Sequence, residues 1–516
     1  MEQEVFLYSI KLDSYGFPKG RVSWNFLMEM KEVRMSVVAI KESGSSHSDP
    51  TTAVKDREPT LVVALLPMIF LILILSVGIL KYKVDPQIPL VIAAIFSAAI
   101  GFYLKYSWAE MEEGIIATLT PAMQAILIQM IIGIVIGTWI LAGVVPTMIY
   151  YGMKILSPSI FLPSAAVICS IVSVATGSAW TTMGTVGIAL LGVGQGLGIG
   201  MPMVAGAIIS GAYFGDKMSP LSDSTNLAPA VTGANLFEHI SHMLKTTGVS
   251  FVIAIVLYAI LGMKYGNDSL DIESINTLLA SLQANFYISP VLLLPPVLVV
   301  LIVIFKIPAV PGLLSGGVLG AIFAVIFQGA DLGTIMKISH YGFTMNSGYE
   351  ALDNLLTRGG LDSMMYTVSL IIVAMSFGGI IEKIGVLRVI LKHMMGLVTS
   401  TGSLVLTTAV SCIFCNIAMA DQYLAIVIPG RMYKQKFVER GLHIKNLSRV
   451  LEDAGTLTSP LVPWSTCGAF IIMTLGISPF AFLPFAFLNL INPVVSVIYA
   501  YFNITMDKAE EAECGC

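Results

Sequence analysis

The sequence predicts an all-α polytopic membrane protein with about ten to twelve transmembrane helices. Of its 516 residues, 56% are apolar and 12% are charged, and the mean hydropathy is +0.84. Soluble globular proteins carry about twice that charged fraction. The charged residues lie in short polar stretches between apolar windows, many of which approach the ~20 residues that a spanning helix requires. The net charge is −4 and no basic face is present, which argues against nucleic acid as a partner.

The apolar windows give the order of the expected spans. They lie at 60–80, 87–104, 121–144, 159–176, 201–215, 247–263, 289–306, 309–328, 363–381, 402–419, 456–476 and 478–502. Two further windows, near 177–195 and 421–430, are short or interrupted by glycine. They predict half-helices or re-entrant hairpins, which are tolerated at membrane depth only where protein or water satisfies the backbone.

Polar segments flank the apolar region at both ends. Residues 1–59 are polar and contain no signal peptide, because no basic start precedes an apolar stretch. The codons of Lys31-Glu32-Val33 could form a purine-rich ribosome-binding sequence just before Met35. We therefore expect native translation to begin at Met35, so that 1–34 is not translated. Residues 503–516 form an acidic tail.

Two loops orient the chain in the membrane. The loop 431–449 carries six Lys or Arg residues and one acid, so the positive-inside rule places it in the cytoplasm. The loop 264–288 carries one basic residue against three acids, and we expect it to be external. It separates a first transmembrane repeat, 60–263, from a second, 289–502.

The two halves share an unusual pattern. Asp216 is followed by Ser219-Pro220-Leu221, and Asp453 is followed by Ser459-Pro460-Leu461. Each motif lies downstream of another polar interruption, at 176–182 in the first half and at 416–421 in the second. Corresponding interrupted segments in two halves indicate a transporter whose inverted repeats place broken helices and a binding site at the bilayer midplane.

Four aspartates lie in or beside apolar segments: Asp216, Asp223, Asp421 and Asp453. An aspartate that faces lipid at mid-membrane costs about 3 kcal/mol, so the four would cost about 12 kcal/mol. They must instead face a cavity, a partner or a cation. Desolvation favours a protonated carboxylate and a bound cation favours an ionised one, so such a site holds either H⁺ or Na⁺.

Neutral oxygens accompany these carboxylates, as a hard cation requires. Pro220, Pro460 and Pro463 lack the backbone N–H of a helix interior, so we expect them to free the carbonyls of Asp216, Thr456 and Ser459. The predicted neutral ligands are Ser219, Ser222, Thr225, Thr456 and Ser459. Residues expected to line the site are Ser178, Trp180, Thr181, Asn226, Trp464 and Ser465.

Four segments resemble the NhaC-type Na⁺/H⁺ antiporter family. They are G-A-Y-F-G-D-K-M-S-P-L-S-D-S-T-N-L-A (211–228), T-G-S-A-W-T-T-M-G-T-V-G-I-A-L (176–190), A-D-Q-Y-L-A-I-V-I-P-G (420–430) and S-R-V-L-E-D-A-G-T-L-T-S-P-L-V-P-W-S-T (448–466). The resemblance extends over nearly the whole chain after residue 60. It implies secondary exchange of Na⁺ for H⁺ in the cytoplasmic membrane, inverted repeats, a homodimeric arrangement, and no cofactor or transition metal besides the transported ions. One departure is Ala179, where the family pattern leads us to expect a hydroxyl.

Other interpretations of the same residues stay open at this point. Some relatives are similar to Na⁺-lactate/malate-H⁺ exchangers, so an organic anion is an alternative substrate, although no arginine lies within a predicted span. An intramembrane hydrolase using paired aspartates would leave the repeat unexplained. Asp453 could simply pair with Arg449, and Lys217 could neutralise Asp216. His239 and His242 suit either a pH sensor or a solvated face.

Overall fold

The structure is a computed structural model that describes residues 57–267, 272–305 and 307–509. The expected start at Met35 and the end of the acidic tail lie outside these residues. Within them the chain is almost entirely helical, and β-structure is limited to two isolated bridges, Phe343 with Arg358 and Leu442 with Lys508.

The α-helices follow one another with short connections. They are α1 Leu61–Ser76, α2 Gln87–Tyr103, α3 Trp108–Leu141, α4 Val144–Ile155, α5 Pro158–Thr176, α6 Ala179–Thr182, α7 Ile188–Gly196, α8 Met201–Met218, α9 Asp223–Thr232, α10 Leu236–Met243, α11 Val249–Asn267, α12 Ile272–Asn285, α13 Leu294–Ile304, α14 Ala309–Gln328, α15 Leu332–Tyr341, α16 Glu350–Leu356, α17 Leu361–Lys383, α18 Val386–Met395, α19 Thr401–Met419, α20 Gln422–Glu439, α21 Lys445–Val450, α22 Thr466–Leu475, α23 Pro479–Phe482 and α24 Phe487–Tyr501. Wider π-helical turns occur at Val77–Lys81, Met183–Gly187, Leu244–Gly248 and Leu451–Thr456, and 3₁₀ turns at Pro290–Leu293, Ser459–Leu461 and Leu483–Phe485.

Seven helices in the described ranges are long and apolar enough to cross a membrane, or up to ten if each of three sharply bent pairs is one span. The predicted all-α polytopic fold is therefore confirmed. One bent pair, with an angle of 92°, joins 276–285 to 290–302. It includes most of α12, so the segment predicted as the external loop 264–288 contains a helix of 14 residues.

Helices α3 and α17 pack against each other through glycines at both ends of their contact. A Cβ on Gly379 would lie 2.6 Å from the Gly114 carbonyl oxygen and 2.7 Å from Thr118 Oγ1. Near the other end, the Gly360 N–H donates to the Gly133 carbonyl at 2.7 Å. The helices approach this closely because small residues leave the backbones exposed to each other, as at many transmembrane interfaces.

A helical hairpin forms in each half. In the first, α5 runs inward and α6–α7 returns, so that Gly194 of α7 lies against Phe161 near the start of α5. In the second, α19 runs inward and α20 returns, and the hydroxyls of Ser411 and Tyr433 are 2.9 Å apart. The predicted interruptions near 177–195 and 421–430 coincide with the turns of these hairpins, but α20 continues for 18 residues, to Glu439.

The two hairpins begin at opposite ends of the bundle. Near the start of α5, Ser159 lies against Gly262 of α11. Gly262 is about four helical turns from Thr246 and Thr247, which lie in the π-helical turn just before α11. Near the start of α19, Gly402 lies against Tyr501 at the C-terminal end of α24. That second end also carries the basic segment 431–449, and we call it the basic end. The sequence predicts a loop there, but the segment comprises the end of α20, a short connection and the start of α21. Opposite entry fits inverted repeats, whose symmetry stays a prediction.

Each hairpin turns at a residue with positive φ followed by a helix cap. Gly177, with φ 66°, ends α5, and the hydroxyl of Ser178 caps α6. Ala420, with φ 57°, ends α19, and the carboxylate of Asp421 caps α20. The left-handed conformation suits glycine, whereas in alanine it costs roughly 1–2 kcal/mol. Ala420 is held there because its carbonyl accepts the Thr466 N–H at 2.8 Å.

The C-terminal segment 505–509 closes the basic end, and we call it the strap. The Thr505 carbonyl accepts from Arg449 Nη1 at 3.1 Å, and Asp507 Oδ2 lies 2.9 Å from Lys445 Nζ. Partial burial opposes ionisation of Asp507, but the Lys445 ammonium outweighs it and holds the pKa of that carboxyl below its usual value. The strap therefore packs directly on the helix that leads into the second broken segment.

Replacing Gly379 by alanine should destabilise the protein, because the new methyl group would overlap the backbone of α3. We expect a loss of about 1–3 kcal/mol, typical of overpacking. The same change at Gly317 of α14 is the matched control, since its added Cβ would meet only ordinary contacts at 3.6–3.8 Å. Thermal unfolding of the detergent-purified variants measures both, and equal midpoints would contradict the packing argument.

Candidate cation site at the helix breaks

Asp216 lies in the last turn of α8 and is 8% exposed. Ser224 Oγ donates to Asp216 Oδ2 at a long 3.4 Å. The Asp216 carboxylate lies within electrostatic range of the Glu452 carboxylate. The prediction that Pro220 frees the Asp216 carbonyl is wrong. That carbonyl accepts from the Ser219 N–H at 3.2 Å and from Thr225 Oγ1 at 3.1 Å, because the start of α9, after the proline, folds back against the end of α8.

Glu452 is not among the residues that the sequence analysis selects, yet the structure places it beside Asp216. It lies in the π-helical turn Leu451–Thr456 and is fully buried. Neither carboxylate oxygen hydrogen-bonds to another described residue. The polar side chains around it belong to Lys217, whose Nζ is 4.0 Å away, and to Thr456 and Ser224. Its signal in the sequence is a second acid, directly before Asp453, inside an otherwise apolar stretch.

Asp453 is fully buried and is surrounded by donors. Lys217 Nζ lies 3.1 Å from Oδ1, and Asn492 Nδ2 donates to the same oxygen at 2.7 Å. Thr246 Oγ1 donates to Oδ2 at 3.0 Å, and Arg449 Nε lies 3.9 Å from it. The carboxylate predicted to exchange ions is thus engaged by protein groups, and the pairing with Arg449 that the sequence left open is present.

Lys217 is fully buried between the two halves of the chain. It pairs with Asp453 and approaches Glu452, whereas the sequence suggested a surface pair with Asp216. Adjacent residues on a helix point in directions about 100° apart, so Asp216 and Lys217 reach different neighbours.

The predicted hydroxyl ligands fall into two groups. Ser219 Oγ donates to the Val174 carbonyl at 2.8 Å, Ser222 caps α9, and Thr225 donates to the end of α8. These three stabilise the first break. In contrast, the hydroxyls of Thr456 and Ser459 are buried and have no hydrogen-bond partner in the described chain.

The carbonyl of Ser459 does not stay free beside Pro463. It accepts from Ser465 Oγ at 2.6 Å and from the Val462 N–H at 3.1 Å. Ser465 also caps α22 by accepting from the Gly468 N–H. The prediction that this proline supplies an unpaired carbonyl is therefore wrong, because a serine replaces the missing donor.

Asp421 is 1% exposed and caps α20. Its Oδ1 accepts the N–H groups of Tyr423 at 2.9 Å and Leu424 at 3.1 Å, and its Oδ2 accepts from Thr466 Oγ1 at 3.4 Å. Its charge is therefore stabilised by the positive N-terminal end of the helix.

Asp223 is exposed at the start of α9, apart from the buried cluster. The phenol of Tyr423 is within electrostatic range of Asp216, Asp223 and Asp421. Asp223 thus occupies the outer side of the same region, and no hydrogen bond of its side chain is found in the described chain.

The other residues predicted to line the site differ in their burial and in their hydrogen-bond partners. Trp180 stacks on Phe470 with ring centroids 4.7 Å apart, and its Nε1 is buried without a partner, as is the hydroxyl of Tyr213. Trp464 Nε1 donates to the Ile417 carbonyl at 2.9 Å. Thr181 is buried behind the Ser178 cap, and Asn226 is exposed, donating to the carbonyls of Pro220 and Ser222.

His239 and His242 are buried, so they do not lie on a solvated face, which was one of the two interpretations that the sequence left open. His239 Nδ1 lies 2.6 Å from Ser448 Oγ, and His242 Nε2 lies 2.9 Å from the Thr505 carbonyl of the strap. Both belong to the layer between the strap and Asp453.

The helix breaks therefore bring together two buried carboxylates, Asp216 and Glu452, with the unpaired oxygens of Glu452 and the unpaired hydroxyl of Thr456 beside them. The hydroxyl of Ser459, also without a partner in the described chain, lies three residues farther along the same segment. Hard monovalent cations take such oxygen ligands. No group of three or more His, Cys, Asp or Glu side chains in the described ranges could hold a metal ion.

Comparison with known proteins gives one family and several relatives. The model of the Na⁺/H⁺ antiporter family matches residues 211–504. The Na⁺/H⁺ antiporter NhaC of Alkalihalophilus pseudofirmus is 41% identical over 456 residues, covering 88% of this chain and 98% of the relative. The malate-2H⁺/Na⁺-lactate antiporter of Bacillus subtilis is 39% identical, covering 86% and 95%. The Na⁺/H⁺ antiporter NhaC of Bacillus subtilis is 36% identical, covering 86% and 98%.

Replacing Asp421 by alanine should remove the cap of α20 and lower the free energy of unfolding by about 1 kcal/mol. Asparagine caps helices as well as aspartate, so Asp421→Asn should keep most of that stability while removing the charge. Thermal unfolding of the two variants in detergent separates these roles. Equal destabilisation by both would show that the charge, and not the cap, holds the second hairpin.

Proposed function

The chain belongs to the Na⁺/H⁺ antiporter family, and from that premise we propose that it exchanges Na⁺ for H⁺ at the buried pair Asp216 and Glu452. The family resemblance drawn from the four sequence motifs is thereby confirmed. The observation that carries the assignment of the site is that both oxygens of the buried Glu452 carboxylate lack hydrogen-bond partners in the described chain and that Asp216 lies beside it, in contrast to the fully engaged Asp453.

The charges of the site favour one added cation. When ionised, the carboxylates of Asp216, Glu452 and Asp453 face the two cations Lys217 and Arg449. The charge of Asp421 is held separately by the N-terminal end of α20, so the three remaining carboxylates against two cations leave one excess negative charge. A buried net charge is unfavourable, so the site binds either Na⁺ or H⁺ and disfavours the empty state. Binding of one ion then displaces the other.

The hairpins supply the two access routes in this proposal. One enters from the basic end and the other from the opposite end, and their turns meet beside the carboxylates. Movement of one broken segment against the other opens the site alternately to each side. We place the basic end in the cytoplasm and the protein in the cytoplasmic membrane, with the proton gradient driving Na⁺ outward. A homodimer and the absence of a cofactor stay predictions.

Exchange of an organic anion is the second candidate. A relative is named a malate-2H⁺/Na⁺-lactate antiporter, and the unpartnered donors Trp180 Nε1 and Tyr213 Oη could bind a carboxylate. Against this, the nearest cations are already engaged, since Lys217 pairs with Asp453, and Arg449 with Asp453 and Thr505. The local excess of negative charge therefore favours a bare cation.

Everted membrane vesicles test the proposed exchange. Added Na⁺ should dissipate a preformed ΔpH, and Asp216→Asn and Glu452→Gln should each reduce the rate by about 100-fold or more, as loss of a proton-transferring group typically does. Asp331→Asn is the matched control, because Asp331 is an exposed helix cap that asparagine can replace. Full activity of Glu452→Gln would contradict the assignment of the site.

The two substrate classes are separated in proteoliposomes. We expect ²²Na⁺ uptake driven by ΔpH to proceed without any organic anion and to change less than about twofold when malate or lactate is added to either side, an effect well below one tenfold step in affinity. Uptake that requires malate or lactate would instead establish the organic-anion exchanger.

A further inference from the structure

We propose that Lys217 is a positioning residue whose charge sets how tightly the Asp216–Glu452 pair holds both H⁺ and Na⁺. The inference rests on the proposed exchange at that pair. Lys217 need not touch either transported ion to act in this way, because it acts through the carboxylates beside it.

The position of Lys217 is unusual for a lysine. Its side chain has no exposed surface, and its ammonium lies 3.1 Å from Asp453 Oδ1 and 4.0 Å from Glu452 Oε2. Thr225 Oγ1, which also donates to Asp216, contacts the Lys217 carbonyl at 3.3 Å. Thr225 thus holds the backbone of both Asp216, which exchanges ions in the proposed function, and Lys217, which adjusts the affinity for them.

Asp453 holds the ammonium but does not cancel its effect on Glu452. The Lys217–Asp453 pair lies at hydrogen-bond distance, while Glu452 is nearly an ångström farther away and has no hydrogen bond of its own. A positive charge about 4 Å from a buried carboxylate favours its ionised form strongly. The ammonium therefore weakens proton binding to the pair, and by the same repulsion it weakens Na⁺ binding.

This weakening has a role in transport. A buried pair of carboxylates without a nearby cation would bind its ion too tightly to release it, and a transported ion must leave as readily as it enters. The Lys217 ammonium repels Na⁺ and H⁺ alike. It therefore lowers the affinity for both competing ions together without choosing between them.

Several other charged or titratable groups face this region from the packed elements. They are Asp216 on α8, Asp223 on α9, His239 on α10, Asp421 and Tyr423 on α20, Arg449 on α21, and Glu452 and Asp453 on the π-helical turn. His239 and His242 on α10 ordinarily titrate near neutral pH. His239 is in electrostatic range of both Lys217 and Asp453, whereas His242 Nε2 lies 3.2 Å from Arg449 Nη1. The test therefore includes a background that lacks His239.

Charge-compensating variants test the proposal. Lys217→Met removes one positive charge and should shift the pH of half-maximal exchange upward by about 1 to 3 pH units, with a KM for Na⁺ about tenfold lower at alkaline pH. Asp453→Asn removes the carboxylate that partly neutralises the Lys217 ammonium. The ammonium then acts more strongly on Glu452, and the pH profile should shift downward. The double variant Lys217→Met/Asp453→Asn restores the original net charge and should return to within about half a pH unit of the unmodified protein. Lys217→Arg keeps the charge and should stay close to it as well.

Na⁺-dependent ΔpH dissipation is measured as a function of pH in vesicles holding equal amounts of each folded variant. Rates that fall without movement of the pH profile would overturn the inference, since they indicate a structural role. If Lys217→Met fails to fold, the opposite shift of Asp453→Asn and its reversal in the double variant decide the matter. The upward shift should persist in a His239→Asn background, and its disappearance there would assign the effect to the histidine. Absence of Na⁺-dependent dissipation in the unmodified protein would instead reject the proposed function.

Discussion

The buried ion pair between Lys217 and Asp453 is the interaction on which the arrangement of the site depends. It joins residues 236 positions apart in the sequence and connects the broken helix of the first half to the π-helical turn of the second. Removing one partner of such a pair leaves an uncompensated buried charge and typically costs about 3–5 kcal/mol. Because Asp453 is also held by Thr246, Asn492 and Arg449, the network fixes the position of the neighbouring Glu452 as well. The carboxylates that are left over, and not those that are best paired, are available to a transported ion.

The helix breaks create free polar groups only at selected points. Most of the backbone groups exposed by the two hairpins are satisfied again, by the Ser178, Ser222, Asp421 and Ser465 caps and by the contact between the Ala420 carbonyl and the Thr466 N–H. Burial of a polar group without a hydrogen-bond partner costs stability. In the second broken segment such groups are the hydroxyls of Thr456 and Ser459 and the carboxylate of Glu452, which lies beside Asp216.

Much of the fold and part of the site could be predicted from the sequence. The apolar windows and the glycine-interrupted segments predict the polytopic fold and the two hairpins, because burial in lipid and backbone breaks leave direct signatures in composition. The burial of Asp216 and Asp421 also follows from their apolar flanks. The division of roles between Glu452 and Asp453 does not, since neighbouring residues differ in environment only through the tertiary structure, and the π-helical turn and the approach of Lys217 are not visible in the local pattern. The free carbonyls expected beside Pro220 and Pro463 likewise do not occur, because Thr225 and Ser465 donate hydrogen bonds to them from elsewhere in the chain.

In the proposed mechanism Na⁺ and H⁺ compete for one excess negative charge at Asp216 and Glu452. Calorimetric titration of the purified protein with Na⁺, in buffers of different ionisation enthalpy and across a pH series, counts the protons released when Na⁺ binds. We expect a release that approaches one proton per Na⁺ near and below the pH of half-maximal exchange and falls toward zero at higher pH, where the pair is already ionised. Binding of Na⁺ with no release of protons at any pH would show that the two ions do not share the site.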